Sequence, residues 1–359
     1  MKPRPRVVAI DLFCGAGGLS KGLQDAGITV VAGIDVDPAC KYPFESNIDA
    51  AFVQEDVRNV TADHLNALWR RAPIRLLAGC APCQPFSPYR RGVDTSREEQ
   101  WPLLAEFGRL VRETRPELVT MENVPRIGST VVFAEFVTGL RGEGYKVSWK
   151  SCYGPDYGVP QNRRRLVLLA SMLGELHVPD GALRGGPYKT VRQTIGKLPP
   201  LRPGATDPND VLHKCRVLTE INLKRIQASR PGGTWADWPR ELRAPCHRRR
   251  KGSTFRNVYA RMEWDKPAPT ITTLAHNFGT GRFGHPSQDR SISLREAAML
   301  QGFPREYRFV KPNETVRLSH IGRLIGNAVP PPLAKAVGDA ILLHAAIRKV
   351  TLGRKVLIS

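Results

Sequence analysis

The sequence predicts an α/β protein: a doubly wound, mostly parallel sheet joined to a smaller, irregular domain. Two observations predict it. Short runs rich in Val, Ile and Leu alternate with stretches of helical spacing from residue 7 to 171, as in a parallel sheet covered on both faces. Residues 173–290 lose that periodicity and carry Pro, Gly, Arg and His in clusters such as PPLRPG and HRRRKG. The expected division is residues 1–172 with 320–359 as the larger domain, and 173–319 as the smaller one with its hinge.

The predicted strands are VVAIDLF (7–13), TVVAGID (29–35), a third ending near Asp56 in QEDVRNV, RLLAG (75–79), LVTMEN (118–123) and RLVLLAS (165–171). Helical spacing follows the first strand at Leu19, Leu23 and Ala26. It returns at Leu103, Leu104, Phe107, Leu110 and Val111. Near the end, residues 330–350 open on prolines suited to a helix start and place Leu333, Ala336, Val337, Ala340, Ile341 and His344 along one side.

A hydrophobic content of 41% over 359 residues gives a globular chain, and 54 Lys+Arg against 33 Asp+Glu give a net charge of +21. That balance favours a polyanionic partner, nucleic acid first and an anionic membrane surface second. No apolar run approaches the ~20 residues of a membrane span, and the N-terminus MKPRPRVVAI has no signal-peptide layout. A cytoplasmic protein is expected. Seven cysteines, an odd number spread along the chain, fit reduced thiols better than a disulfide framework. HKC (213–215) and CH (246–247) could in principle meet as metal ligands, but their spacing matches no structural zinc pattern. No metal is expected.

DLFCGAGGLSKGL (11–23) sets Gly15, Gly17 and Gly18 between a strand and a helix. Such a turn lets backbone approach a ligand beside the positive end of a helix. Asp35 ends the second strand 18 residues after Gly17, about where a nucleotide site holds ribose hydroxyls. Asp56 could accept from an adenine amino group. Either aspartate alone could equally be a helix cap; together with the glycine turn they favour a nucleoside-containing cofactor.

In GCAPCQPFS (79–87), Cys83 sits on a stretch stiffened by Pro82 and Pro85. A packed core cysteine needs no such frame, whereas a nucleophile must be exposed and aimed. Glu122 in MENV, and Gln161, Arg163 and Arg165 in QNRRR, are expected on the same sheet edge. A thiolate, a carboxyl group and arginines around one cavity suit attack on an electron-poor heterocycle. The thiolate adds to a ring carbon, the acid protonates a ring nitrogen, and an arginine holds an exocyclic oxygen. Taken singly, Glu122 could be a satisfied buried carboxylate, and the arginines a surface cluster.

Across nearly its whole length the chain resembles the DNA (cytosine-5)-methyltransferases. DLFCGAGG, PCQPFS, ENV, QNRRR, SLREAAMLQGFP (293–304) and IGNAVPPPLA (325–334) occur in that family's order. The resemblance implies the Rossmann-like fold of S-adenosylmethionine-dependent methyltransferases, with S-adenosylhomocysteine as product. It implies a cofactor site of Phe13, Gly15, Gly17, Asp35, Val36, Asp56, Val57 and Pro82, completed by Asn327 and Val329. It makes Cys83 the nucleophile toward carbon 6 of a flipped-out cytosine. Glu122 then contacts ring nitrogen 3, with Arg163 and Arg165 beside the base or the active-site loop. Gln84, Ser87, Asn123, Gln161, Thr270, Thr272 and Thr273 are the implied substrate contacts. QPFSPYRRG (84–92) is implied to close over DNA.

The family usually has two small or proline residues before its Pro-Cys. Here Cys80 and Ala81 stand there, and Cys80 is read as a passenger. In this family the segment spanning about 173–290 carries sequence recognition, with Thr- and Gly-rich loops at base edges and arginines on the backbone. The residues do not spell the DNA word. The implied partner is double-stranded DNA, bound by a monomer in the cleft between its domains. The compact layout suggests a prokaryotic modification enzyme paired in function with a restriction endonuclease.

Three rivals remain. The RNA-acting relative carries Cys-Phe-Thr after its Glu-Asn-Val, and no CFT occurs here. A catalytically silent DNA-binding regulator would not need Cys83, Glu122 and Arg165 together. A Cys-x-x-Cys redox protein explains only residues 80–83.

Overall fold

The computed structural model describes residues 6–82, 101–249, 252 and 254–356. Cys83, Gln84, Ser87 and the rest of the 84–92 segment lie outside the described residues. The chain forms two compact units, one of residues 1–153, 164–182 and 329–359, the other of 154–163 and 183–328.

The first unit is built on a seven-stranded sheet. Its strands are β1 (Val7–Leu12), β2 (Thr29–Asp35), β3 (Ala51–Gln54), β4 (Ile74–Gly79), β5 (Leu118–Asn123), β6 (Lys146–Tyr153) and β7 (Arg164–Ser171), in the order β3-β2-β1-β4-β5-β7-β6. β1 to β5 run parallel, and β7 is antiparallel to both β5 and β6. Its helices are α1 (Gly18–Ala26), α2 (Lys41–Glu45), α3 (Ala62–Trp69), α4 (Trp101–Thr114) and α5 (Val131–Gly142). All six residues of β1 and of β5 are buried. Each fully buried Leu or Ile there contributes about 1.5–3 kcal/mol. One face packs on Trp69, Phe107, Leu110, Phe133 and Phe136 from α3, α4 and α5.

Four further helices are α6 (Val191–Ile195), α7 (Glu220–Gln227), α8 (Leu294–Gln301) and α9 (Leu318–Asn327), all in the second unit; α10 (Pro331–Val356) returns to the first. There it lies against α1, and the two helices touch at glycines. A β-carbon on Gly22 would sit 2.4 Å from the Pro331 carbonyl oxygen, and one on Gly338 2.6 Å from the Ala26 β-carbon.

The second unit has little regular structure: the four helices, several single 3₁₀ turns and a hairpin of β8 (Thr206–Asp207) and β9 (Asp210–Lys214). An aromatic core of Trp235, Trp238 and Phe278 with Ile226 and Val258 supports residues 218–278. A second anchor is the buried pair Arg290–Glu296, joined twice at 2.7 Å. Burial alone would raise the Glu296 carboxyl, but the hydrogen bonds and charge of Arg290, with His285 and the Ser293 N–H, hold it at about 2.

The observed boundaries differ from the expected ones in three places. Residues 154–163 join the second unit, where Asn162 N–H donates to Ala268 and Gln161 accepts from Ile271 N–H. Residues 173–182 stay with the first, tied by Ser148 to the Leu176 carbonyl and by Lys150 to Asp180. α9 belongs to the second, because Gly322 and Gly326 leave room for residues 272–276 against its backbone.

Candidate active site

The carboxyl ends of five parallel strands lie on one edge of the sheet. The order reverses between β1 and β4, since the chain runs outward from β1 to β3 on one side and from β4 to β5 on the other. Ligands of open α/β sheets bind at such a switch point. β7 runs the opposite way, so its first residues, Arg164 and Arg165, start at the edge where β5 ends with Asn123 facing Leu166.

Residues 13–17 leave β1 as a tight turn. Gly15 and Gly17 adopt φ of 54° and 85°, and Phe13 accepts φ of 58°. Asp35, at the end of β2, fixes that turn: its Oδ2 accepts from Gly15 N–H at 2.9 Å and its Oδ1 from Asp37 N–H at 2.9 Å. A β-carbon on Gly15 would meet nothing within 4 Å, so the turn borders open space. Val36 beside it is 63% exposed, an apolar surface next to a carboxylate. Asp56, past the end of β3, caps residues 57–59 and pairs with Arg58, whose hydrogen bond holds the carboxyl below its usual range. Val57 is buried. Open space along a glycine turn, an exposed valine and two carboxylates fit an adenosine-bearing cation such as S-adenosylmethionine.

Asp11 lies beneath this turn, fully buried. Its Oδ2 accepts from the Ser20 hydroxyl at 2.6 Å, and its Oδ1 has no hydrogen-bond partner among the described residues. Burial pushes its carboxyl up to about 7, the Ser20 hydrogen bond opposes, and the Asp35 charge adds to the rise. Asp11 is a functional-site candidate with a sequence signal of its own, a carboxylate inside an apolar strand.

At the end of β5 the Glu122 side chain is 5% exposed. Arg165 Nε stands 3.0 Å from Glu122 Oε1, an ion pair whose angle makes no hydrogen bond. The thiol of Cys80 donates to Glu122 Oε2 at 3.1 Å. Asn123 Nδ2 donates to the Ala81 carbonyl at 3.0 Å and its Oδ1 accepts from Val124 N–H. Cys80 therefore touches the candidate acid. Asn123 holds the backbone that leads through Pro82, which is exposed, toward residue 83.

Other singled-out residues belong to the second unit. Arg163 is buried, donating to the Ile271 and Gly326 carbonyls at 2.9 and 3.0 Å. Those bonds tie two backbone segments together. Gln161 is also buried, its amide donating to the Leu300 carbonyl and to Gln301. Thr270 donates to the Asn162 carbonyl, and Thr272 is exposed and Thr273 half-buried. Asn327 ends α9 exposed, whereas Val329 is buried in the first unit. Among the described residues no three of His, Cys, Asp and Glu gather as metal ligands. His213 instead bonds Ser293 and the Pro199 carbonyl. No described helix is long and apolar enough to cross a membrane.

Residues 7–343 match the family model for C-5 cytosine-specific DNA methylases. The type II methylase M.HgiDII of Herpetosiphon aurantiacus is 47% identical over 335 residues, covering 92% of this chain and 94% of that one. The type II methyltransferase M1.HphI of Haemophilus parahaemolyticus is 30% identical, covering 93% and 86%. Among solved structures, one described as a prophage-encoded DNA modification methyltransferase from E. coli superposes with a TM-score of 0.71 at 22% identity, covering 93% of this chain and 98% of that one. The S. pombe Dnmt2 methyltransferase gives 0.64 at 19%, covering 94% and 98%. At such identities these two show the fold alone.

Proposed function

Because this chain belongs to the C-5 cytosine-specific DNA methylase family and is a DNA (cytosine-5)-methyltransferase, we propose that Cys83 and Glu122 carry its chemistry, with Arg165 holding the carboxylate. The observation that supports this most is the buried Glu122 carboxylate between Arg165 and Cys80, three residues before Cys83. The Cys83 thiolate adds to carbon 6 of the cytosine while Glu122 holds ring nitrogen 3, and carbon 5 becomes nucleophilic. The 13–17 turn, Asp35, Val36 and Asp56 would hold S-adenosylmethionine, which would supply an electrophilic methyl group to carbon 5. Loss of the carbon 5 proton to a base then restores the carbon 5–carbon 6 double bond and expels the sulfur. The cytosine must leave the stack for this attack, because carbon 6 is inaccessible within a duplex.

The substrate is double-stranded DNA carrying one sequence word, read by residues 173–290, and the surplus of positive charge favours that polyanion. The type II names of the relatives support a functional partnership with a restriction endonuclease in a prokaryotic cytoplasm. The test supplies S-adenosylmethionine labelled on its methyl group with either unmethylated bacterial DNA or tRNA. Label is expected in DNA alone, and none with Cys83→Ser. Label in tRNA alone, or turnover by Cys83→Ser, contradicts the proposal.

A further inference from the structure

Two side-chain bonds link the start of the nucleophile segment to the end of β5. Cys80 Sγ reaches Glu122 Oε2 at 3.1 Å, and Asn123 Nδ2 reaches the Ala81 carbonyl at 3.0 Å. The backbone at Cys80 is itself held, its N–H donating to the Leu12 carbonyl at 3.3 Å, which extends the β1–β4 ladder by one residue. Adjacent residues on one strand end thus grip adjacent residues on the next. The terminal torsion of a glutamate side chain is broad and roughly two-fold, so one contact does not fix the plane of its carboxylate. Arg165 meets one oxygen and Cys80 the other. Both partners are needed to define the plane.

We infer that Cys80 is a positioning residue for methyl transfer: its thiol sets the Glu122 carboxylate and latches it to the backbone that carries Cys83. The inference rests on the role of Glu122 proposed above. A thiol is a weak donor, so its part is to orient the carboxylate. A half-buried side chain with a small apolar neighbour, Ala81, leaves the carboxylate no other described side-chain donor on this side. The bond acts on orientation and leaves the cofactor and DNA contacts alone.

That separation provides the test. Cys80→Ala removes donor and bulk, Cys80→Val keeps bulk without a donor, and Cys80→Ser keeps a donor. Single-turnover methyl transfer to saturating DNA is measured for each, with KM for S-adenosylmethionine and Kd for DNA, beside Glu122→Gln. Ala and Val are expected to slow transfer about 5- to 20-fold while KM and Kd stay within twofold. Ser is expected to recover most of the rate. Wild-type rates in Ala or Val, or a Ser variant as slow as Ala, overturn the role; a loss confined to KM or Kd does so too. If one of Ala and Val fails to fold, the other carries the comparison. Glu122→Gln separates the two levels: a near-normal rate there removes the acid role itself, whereas a slow Glu122→Gln beside a normal Cys80→Val removes only the latch.

Discussion

Asp11 shows what a single buried charge implies. Its carboxyl, pushed up to about 7 by burial and then by Asp35, takes a proton in the folded chain that it would release near 4 when unfolded. Between those values the native state holds more protons than the unfolded state, so stability falls as pH rises through the window. This is opposite to Glu296, held at about 2, whose contribution is present above its unfolded value near 4.5 and lost as pH falls toward 2. Asp11→Asn carries no proton to lose. Its thermal midpoint relative to the parent chain is expected to rise steadily from pH 5 to pH 8, by scanning calorimetry without cofactor. Parallel curves would show that Asp11 does not titrate there. The residue scale also marks where sequence reading stops. Glu122 was legible because a lone carboxylate ends an apolar run. Cys80 was not, because its partner lies 42 positions away and a cysteine just past the end of a strand looks like core. Arg163 and Arg165 stand two apart in QNRRR, yet the boundary between the compact units falls between them.

At the scale of elements, β1 and β5 announced themselves as nearly continuous apolar runs buried on both faces, whereas β3 is short and exposed at both ends. β6 went unread: KVSWKSCY is an edge strand of mixed exposure, in which Lys146, Ser148 and Lys150 alternate with apolar residues and leave no continuous apolar run. The antiparallel direction of β7 was hidden as well, since composition fixes burial but not direction. The α1–α10 crossing is the element-level feature with the clearest consequence. A methyl group on Gly22 would meet the Pro331 oxygen at 2.4 Å and the Lys335 nitrogen at 2.7 Å. Both are backbone atoms that cannot turn aside. Overpacking costs about 1–3 kcal/mol, against a gain in helix propensity of about 1 kcal/mol. Gly22→Ala is therefore expected to lower the thermal midpoint. Gly139→Ala in α5 adds a methyl to open space and should raise it, by about 0.5–1 kcal/mol of stability. Equal effects of the two substitutions would contradict the packing account.

For the whole molecule, the two-part organisation was legible because periodicity stops near residue 172 and returns near 330. The limits moved because the chain crosses between units at backbone contacts that no composition records, such as Asn162 to Ala268. The second unit explains its own irregularity: among the described residues it is held by an aromatic core and the buried Arg290–Glu296 pair, with no sheet larger than the β8–β9 hairpin. A framework of this kind carries no apolar period, so it registers in the sequence only as a loss of pattern. As proposed, the chain methylates cytosine in one DNA context through Cys83. The most direct measurement is bisulfite sequencing of the genome of a methylation-free bacterial host expressing either the parent chain or Cys83→Ser. Protected cytosines confined to one repeated sequence, and absent with Cys83→Ser, are the predicted result. An unprotected genome with folded protein present, or the same protection from both chains, would contradict it.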